Sequence, residues 1–159
     1  MTEMTNTQIA NRGGATVGHL TDLSAVEAAS VLYLRMWGEG AKGIRQIQRD
    51  FTAILGGPDG QMAFLAFDSL CQNCANYGRR PLMRHQLKCN CLGADENCFA
   101  NLIGAAGEGA REDAAMMAAL IVRPDLAFAL ADLAQQVALT FQRLIHAAPF
   151  AAPIKTTLH

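Results

Sequence analysis

Charge is scarce in this chain. Asp, Glu, Lys and Arg make up 17% of its 159 residues, against roughly 25% in an average soluble protein. The two signs nearly balance, 13 basic residues against 14 acidic, which excludes a generally basic nucleic-acid coat and an acidic disordered tail. No apolar run reaches the ~18 residues of a membrane span. The opening residues lack a basic start followed by an apolar stretch, so no secretory signal is read there and the expected compartment is the cytoplasm. Chemistry-bearing signatures are also missing. Gly38-Glu39-Gly40 and Gly107-Glu108-Gly109 match no nucleotide-binding fingerprint, and neither a nucleophile elbow nor a paired-histidine zinc protease motif occurs. No segment alternates with period two for long enough to argue a strand. Cysteine is absent everywhere except between Cys71 and Cys98, where all five lie.

Apolar residues are plentiful, at 51%, and they recur at helical spacing. Ser24-Ala25-Val26-Glu27 is a capping box, and Val26, Ala29, Leu32 or Tyr33, and Met36 follow it on one helical face. Ile44, Ile47, Phe51, Ile54 and Leu55 form the stripe of a helix from about Ala41, ended by Gly56-Gly57-Pro58. A third helix starts near Asp59, with Phe64, Phe67, Cys71 and Cys74 on adjoining rows, and closes near Tyr77-Gly78. Pro81 opens an expected short helix reaching Lys88. Asp95 is an expected N-cap for a helix to about Ala106, followed by one over about Glu108 to Val122. Leu126, Leu130, Leu133, Val137, Phe141 and Leu144 give the most regular stripe, on a final helix from Pro124 to about His146. The fold class is therefore all-α, a bundle of about five or six helices with a cysteine-rich metal-binding loop region. The expected organisation is a flexible arm over 1–20, a single helical domain over 21–148 with the cysteine-rich segment at 71–98, and a loose tail over 149–159.

Clustered thiols in a reducing compartment point to metal before disulfides, and an odd count does not close a disulfide framework. The pattern is C-x2-C-x14-C-x-C-x6-C: Cys71, Cys74, Cys89, Cys91 and Cys98, with His85 in the long spacer as a possible substitute ligand. Residues i and i+3 share a helix face, so Cys71 and Cys74 can present two sulfurs to one ion. A C-x-C turn adds one or two more. Cys98 falls in the first turn of a helix, where the dipole is expected to lower its pKa. These candidates exceed the four positions of a structural zinc site. Zinc is the expected ion, with an iron–sulfur cluster as the alternative. The C-x2-C and C-x-C pairs resemble those of the helical [2Fe–2S] domain of bacterioferritin-associated ferredoxins, in reverse order and with a fifth cysteine. That resemblance covers the cysteine types alone and brings no function with it.

From Ser69 through Ala94 there is no acidic residue, while Arg79, Arg80, Arg84 and Lys88 lie inside that window. These cations would balance a thiolate-bound ion, or meet an anion or a partner. Nucleic acid is the less favoured partner, because no aromatic residue is interleaved there for stacking. The leading expectation is a cytosolic zinc-binding protein with a binding or regulatory, non-catalytic role, working with a protein partner or as a homo-oligomer and without a membrane. An iron–sulfur or thiol-redox protein is the alternative, and a nucleic-acid-binding regulator using the basic segment 79–88 is the second alternative. The Met116-Met117 pair is assigned first to core packing and second to a dimer interface.

Overall fold

The computed structural model describes residues 12–147. The expected tail over 149–159 and residues 1–11 of the expected arm lie outside the described residues. The rest is a helical bundle: α1 (Ala25–Gly38), α2 (Ala41–Leu55), α3 (Gly57–Tyr77), α4 (Ala94–Gly107), α5 (Arg111–Ile121) and α6 (Ala127–Ala147). One short antiparallel ribbon joins β1 (Thr16–His19) to β2 (Cys91–Gly93), with Gly18 opposite Leu92 and His19 opposite Cys91. So four residues of the expected flexible arm, Thr16–His19, form a strand. Its pairing residue lies far along the chain, and no local alternation announces it.

The helix boundaries follow local chemistry. Ser24 Oγ accepts the Glu27 N–H at 3.2 Å and Glu27 returns the bond to the Ser24 N–H at 3.3 Å, the expected box at the start of α1. Between α1 and α2 the chain turns at Gly40, whose φ of 80° lies in the left-handed region that favours glycine. Gly43 lets α2 begin against the last turn of α1, since a Cβ there would meet the Met36 carbonyl oxygen.

Helix α6 runs through the middle of the bundle and touches the other five helices. Leu130, Val137, Phe141 and Leu144 of its stripe are buried, while Leu126 and Leu133 are half-buried. Ala131, Ala134 and Ala138 are buried between them, so small side chains let neighbouring helices approach. Four rings from four helices meet at the centre. Tyr33, Phe51, Phe67 and Phe141 have centroids 5.2 to 6.4 Å apart, mostly edge to face. A smaller apolar cluster of Leu20, Val31, Leu32, Leu92 and Ala100 sits beneath the β ribbon and anchors it to α1 and α4. Met117 packs against the main core, while Met116 and Leu120 are exposed on α5. Among the described residues no helix is long and apolar enough to cross a membrane.

Residues 81–88 are not the expected helix but an irregular strap between α3 and β2. The reason is competition for its backbone. The Met83 N–H donates to Asp95 Oδ2 at 2.7 Å and the His85 N–H to Glu96 Oε2 at 3.2 Å. The Gln86 and Cys89 carbonyls accept from Arg35 at 3.1 and 2.7 Å. The His85 N–H, which a helix from Pro81 would give to the Pro81 carbonyl, is taken by Glu96, and the groups on either side are held to Asp95 and Arg35.

Candidate metal site

Three side chains organise the strap, and two of them form a buried ion pair. Arg35 on α1 and Glu96 in the first turn of α4 have side chains 1% and 0% exposed. Arg35 Nε donates to Glu96 Oε2 at 2.7 Å and Nη2 to Oε1 at 3.0 Å. The remaining guanidinium donors reach the carbonyls of Gln86, Cys89 and Cys91, the last at 2.6 Å. Glu96 Oε1 also accepts from the Gly93 N–H at 3.0 Å and Oε2 from the His85 N–H, so each oxygen accepts two bonds. A buried ion pair is favourable only when its polar atoms are satisfied in this way. Among the described residues no buried side-chain nitrogen or oxygen lacks a partner. The third organiser is Asp95, which takes both Arg80 terminal nitrogens at 2.6 Å. Asp95 is thus not the expected N-cap. Gly93 holds that position, and Glu96 reaches back to its N–H.

This node presents one group of candidate ligands. His85 Nε2 lies 2.8 Å from the Gly14 carbonyl oxygen. A carbonyl only accepts, so Nε2 carries a proton, and in the neutral ring Nδ1 then holds the lone pair. Nδ1 faces Cys89 Sγ at 3.9 Å. The Cys91 N–H donates to Cys89 Sγ at 3.3 Å. The Cys91 thiol is held above its ordinary pKa by its hydrogen bond to Cys89, by the Cys89 charge and by burial, with Thr16 and Arg35 pulling the other way.

The other cysteines stand apart from this group. Cys71 and Cys74 share a face of α3, as their spacing predicts, but that face is in the main core, at 1% and 2% exposure. Burial pushes Cys74 up to about 12. Cys71 is also raised, by burial first and then by Cys74 and Asp68, against a lowering by Arg84. Cys98 is half-buried in the first turn of α4, and its pKa is raised by burial and by Asp95, against a lowering by Arg80. The expected helix-dipole lowering of Cys98 is therefore outweighed. Among the described residues no three His, Cys, Asp or Glu side chains converge as they would around an ion. All five cysteines are free thiols.

The cations of the acid-free window divide in the same way. Arg79 Nε donates to the Ala119 carbonyl at 3.0 Å, and Arg80 is paired with Asp95. Arg84 and Lys88 are exposed on the strap. Arg35 and Glu96 escaped the sequence reading as a pair. The signal for Arg35 was its place four residues after Val31 and beside Leu34, a cation on the apolar side of α1. Comparison with known protein families, with curated proteins and with solved structures finds no match to this chain.

Proposed function

We propose that this chain is a zinc-binding helical protein with a binding or regulatory role, its ion held by His85, Cys89 and Cys91. The observation that carries the reading is the pair of bonds made by His85. Its Nε2–H is spent on a backbone carbonyl, the arrangement that orients metal-ligating histidines, and its Nδ1 lone pair faces a thiol. In a tetrahedral zinc site, bond lengths of ~2.1 Å to nitrogen and ~2.3 Å to sulfur put those two atoms about 3.6 Å apart. The separation here is 3.9 Å. Cys91 would supply the third donor by turning its thiol toward that pair, and each thiol that binds would release its proton to solvent. Cys71 and Cys74 stay in the core as small apolar groups, and Cys98 is the spare thiol.

Protein purified under reductant with zinc supplied is expected to hold one ion per chain by elemental analysis. Cys89→Ser is expected to lose it and Cys71→Ala to keep it. Metal-free protein under these conditions, or thermal unfolding unmoved by a strong chelator, would overturn the reading. The contact of Cys91 with Cys89 supports a second reading, a thiol-redox sensor. The two thiols would become a disulfide, passing two electrons and two protons to hydrogen peroxide, which leaves as two waters. Formation of that disulfide in metal-free protein under mild peroxide, read by mass, distinguishes it. An iron–sulfur cluster draws less support, because it takes four thiolates and two of the five lie in the core.

A further inference from the structure

A groove of about 640 Å³ opens between the start of α2 and the strap. Lys42, Arg45 and Arg49 of α2 line one wall and Lys88 of the strap lines the other, with Gln86 and Leu87 beside it. All four cations are exposed, and none has an acidic partner among the described residues. One carboxylate, Glu39, also lines the groove, against the four cations. Outside the groove Arg35, Arg80, Arg111, Arg123 and Arg143 are each paired with a carboxylate, Arg79 donates to the Ala119 carbonyl, and Arg84 makes no ion pair with a carboxylate among the described residues. The nearest acid on α2, Asp50, is occupied by Tyr33 and Gln46. Arg45 and Arg49 are four residues apart, a like-charge spacing that destabilises a helix. The fold thus keeps locally repelling charges facing a concave surface.

We infer that this groove binds a small molecule carrying several phosphate groups. Its volume falls in the range of small-ligand sites. Four converging cations match the charge of a di- or triphosphate, and they come from two elements, which a solvated helix face alone would not provide. A nucleic-acid strand is disfavoured because the lining has no aromatic side chain for base stacking, only Met36 and Leu87 as apolar groups. Gln86, Leu87 and Lys88 belong to the stretch between His85 and Cys89, so an occupant also braces the strap. Binding itself is independent of the zinc reading.

The test uses reduced, chelator-treated full chain and inorganic tripolyphosphate, followed by calorimetry at low salt. Saturable binding of one molecule per chain is expected. Removing cations in the Lys42→Gln/Arg45→Gln/Arg49→Gln variant is expected to lower affinity by about tenfold for each charge. These side chains are exposed and have no acidic partner, and circular dichroism checks that the variant is folded. A control with the same change in net charge, Arg111→Gln/Arg123→Gln/Arg143→Gln, is expected to bind as the unaltered protein does. Three results would overturn the inference: no saturable binding, an equal loss in the control, or binding of a single-stranded oligonucleotide where tripolyphosphate does not bind.

Discussion

Replacing Glu96 by glutamine keeps the outline of the side chain and removes its charge. All four groups that meet its two oxygens are donors: Arg35 Nε, Arg35 Nη2, and the N–H groups of His85 and Gly93. The glutamine amide is itself a donor on one side, so two of those bonds become donor against donor whichever way it turns. Arg35 is left charged and 2% exposed, with one amide oxygen and the carbonyls of Gln86, Cys89 and Cys91 as its acceptors. Losing one member of such a buried pair costs about 3–5 kcal/mol. A domain of this size has about 5–15 kcal/mol in total. Each 1 kcal/mol moves Tm by about 2–4 °C at this length, so Tm should fall by about 6–20 °C. Urea unfolding gives the free energy, and hydrogen exchange places the damage, with the His85 and Gly93 amides opening first. In a double-mutant cycle with Arg35→Met, the doubly substituted chain should lose less than the two single losses added. Arg143→Gln, which removes an ion pair whose members are 57% and 63% exposed, should leave Tm unchanged. A Glu96→Gln chain as stable as the parent, or strictly additive losses, would refute the assignment of Arg35 and Glu96 as the node that holds the strap.

Two further outcomes follow from the thiols. Cys71 and Cys74 are both raised by burial, Cys74 to about 12 from an ordinary 9.0, so the folded chain keeps protons that the unfolded chain releases. Stability is then full below pH 9 and falls as pH rises from there toward 12, by up to about 2.7 kcal/mol per unit with both thiols counted; urea midpoints at pH 8 and 10 measure it, and a Cys71→Ala/Cys74→Ala chain should show a flatter decline. Alkylation of metal-free protein at pH 8 should label the half-exposed Cys89 and Cys91 first. The thiolate fraction of Cys74 is about a thousandfold below that of an ordinary thiol, so it and Cys71 should be modified only on unfolding, as read by peptide mass.

The parts of this fold that are legible in the sequence are those decided within a few residues. Ser24 and Glu27 find each other across one turn, and the α6 stripe is a repeat of local steps. The strap was not legible because its conformation is decided by distant partners. Pro81 signals a helix start, but Glu96 takes the His85 N–H that such a helix would use, Asp95 holds the Met83 N–H, and Arg35 takes carbonyls from more than fifty positions away. The β ribbon escaped for the same reason, since Thr16 and Gly93 pair across most of the domain. Crowding of cysteines along the chain also translated only in part into space. Cys71 and Cys74 do share a face of α3, but hydrophobic periodicity turns that face into the core, whereas Cys89 and Cys91 stay in contact because they are neighbours in one turn.

Arg35 grips the strap by the carbonyls of Gln86, Cys89 and Cys91, and Glu96 grips it by the His85 N–H. Every amino acid has a carbonyl, and all but proline have an N–H. These bonds from α1 and α4 do not depend on which side chains the strap carries, whereas Leu82 and Leu87 add side-chain packing against the two apolar clusters. The strap is a mounting whose exposed positions, Arg84, Gln86 and Lys88, can be exchanged with the backbone held on course. A change in what the neighbouring groove presents is within reach of single substitutions at Gln86 or Lys88 that leave the bundle untouched.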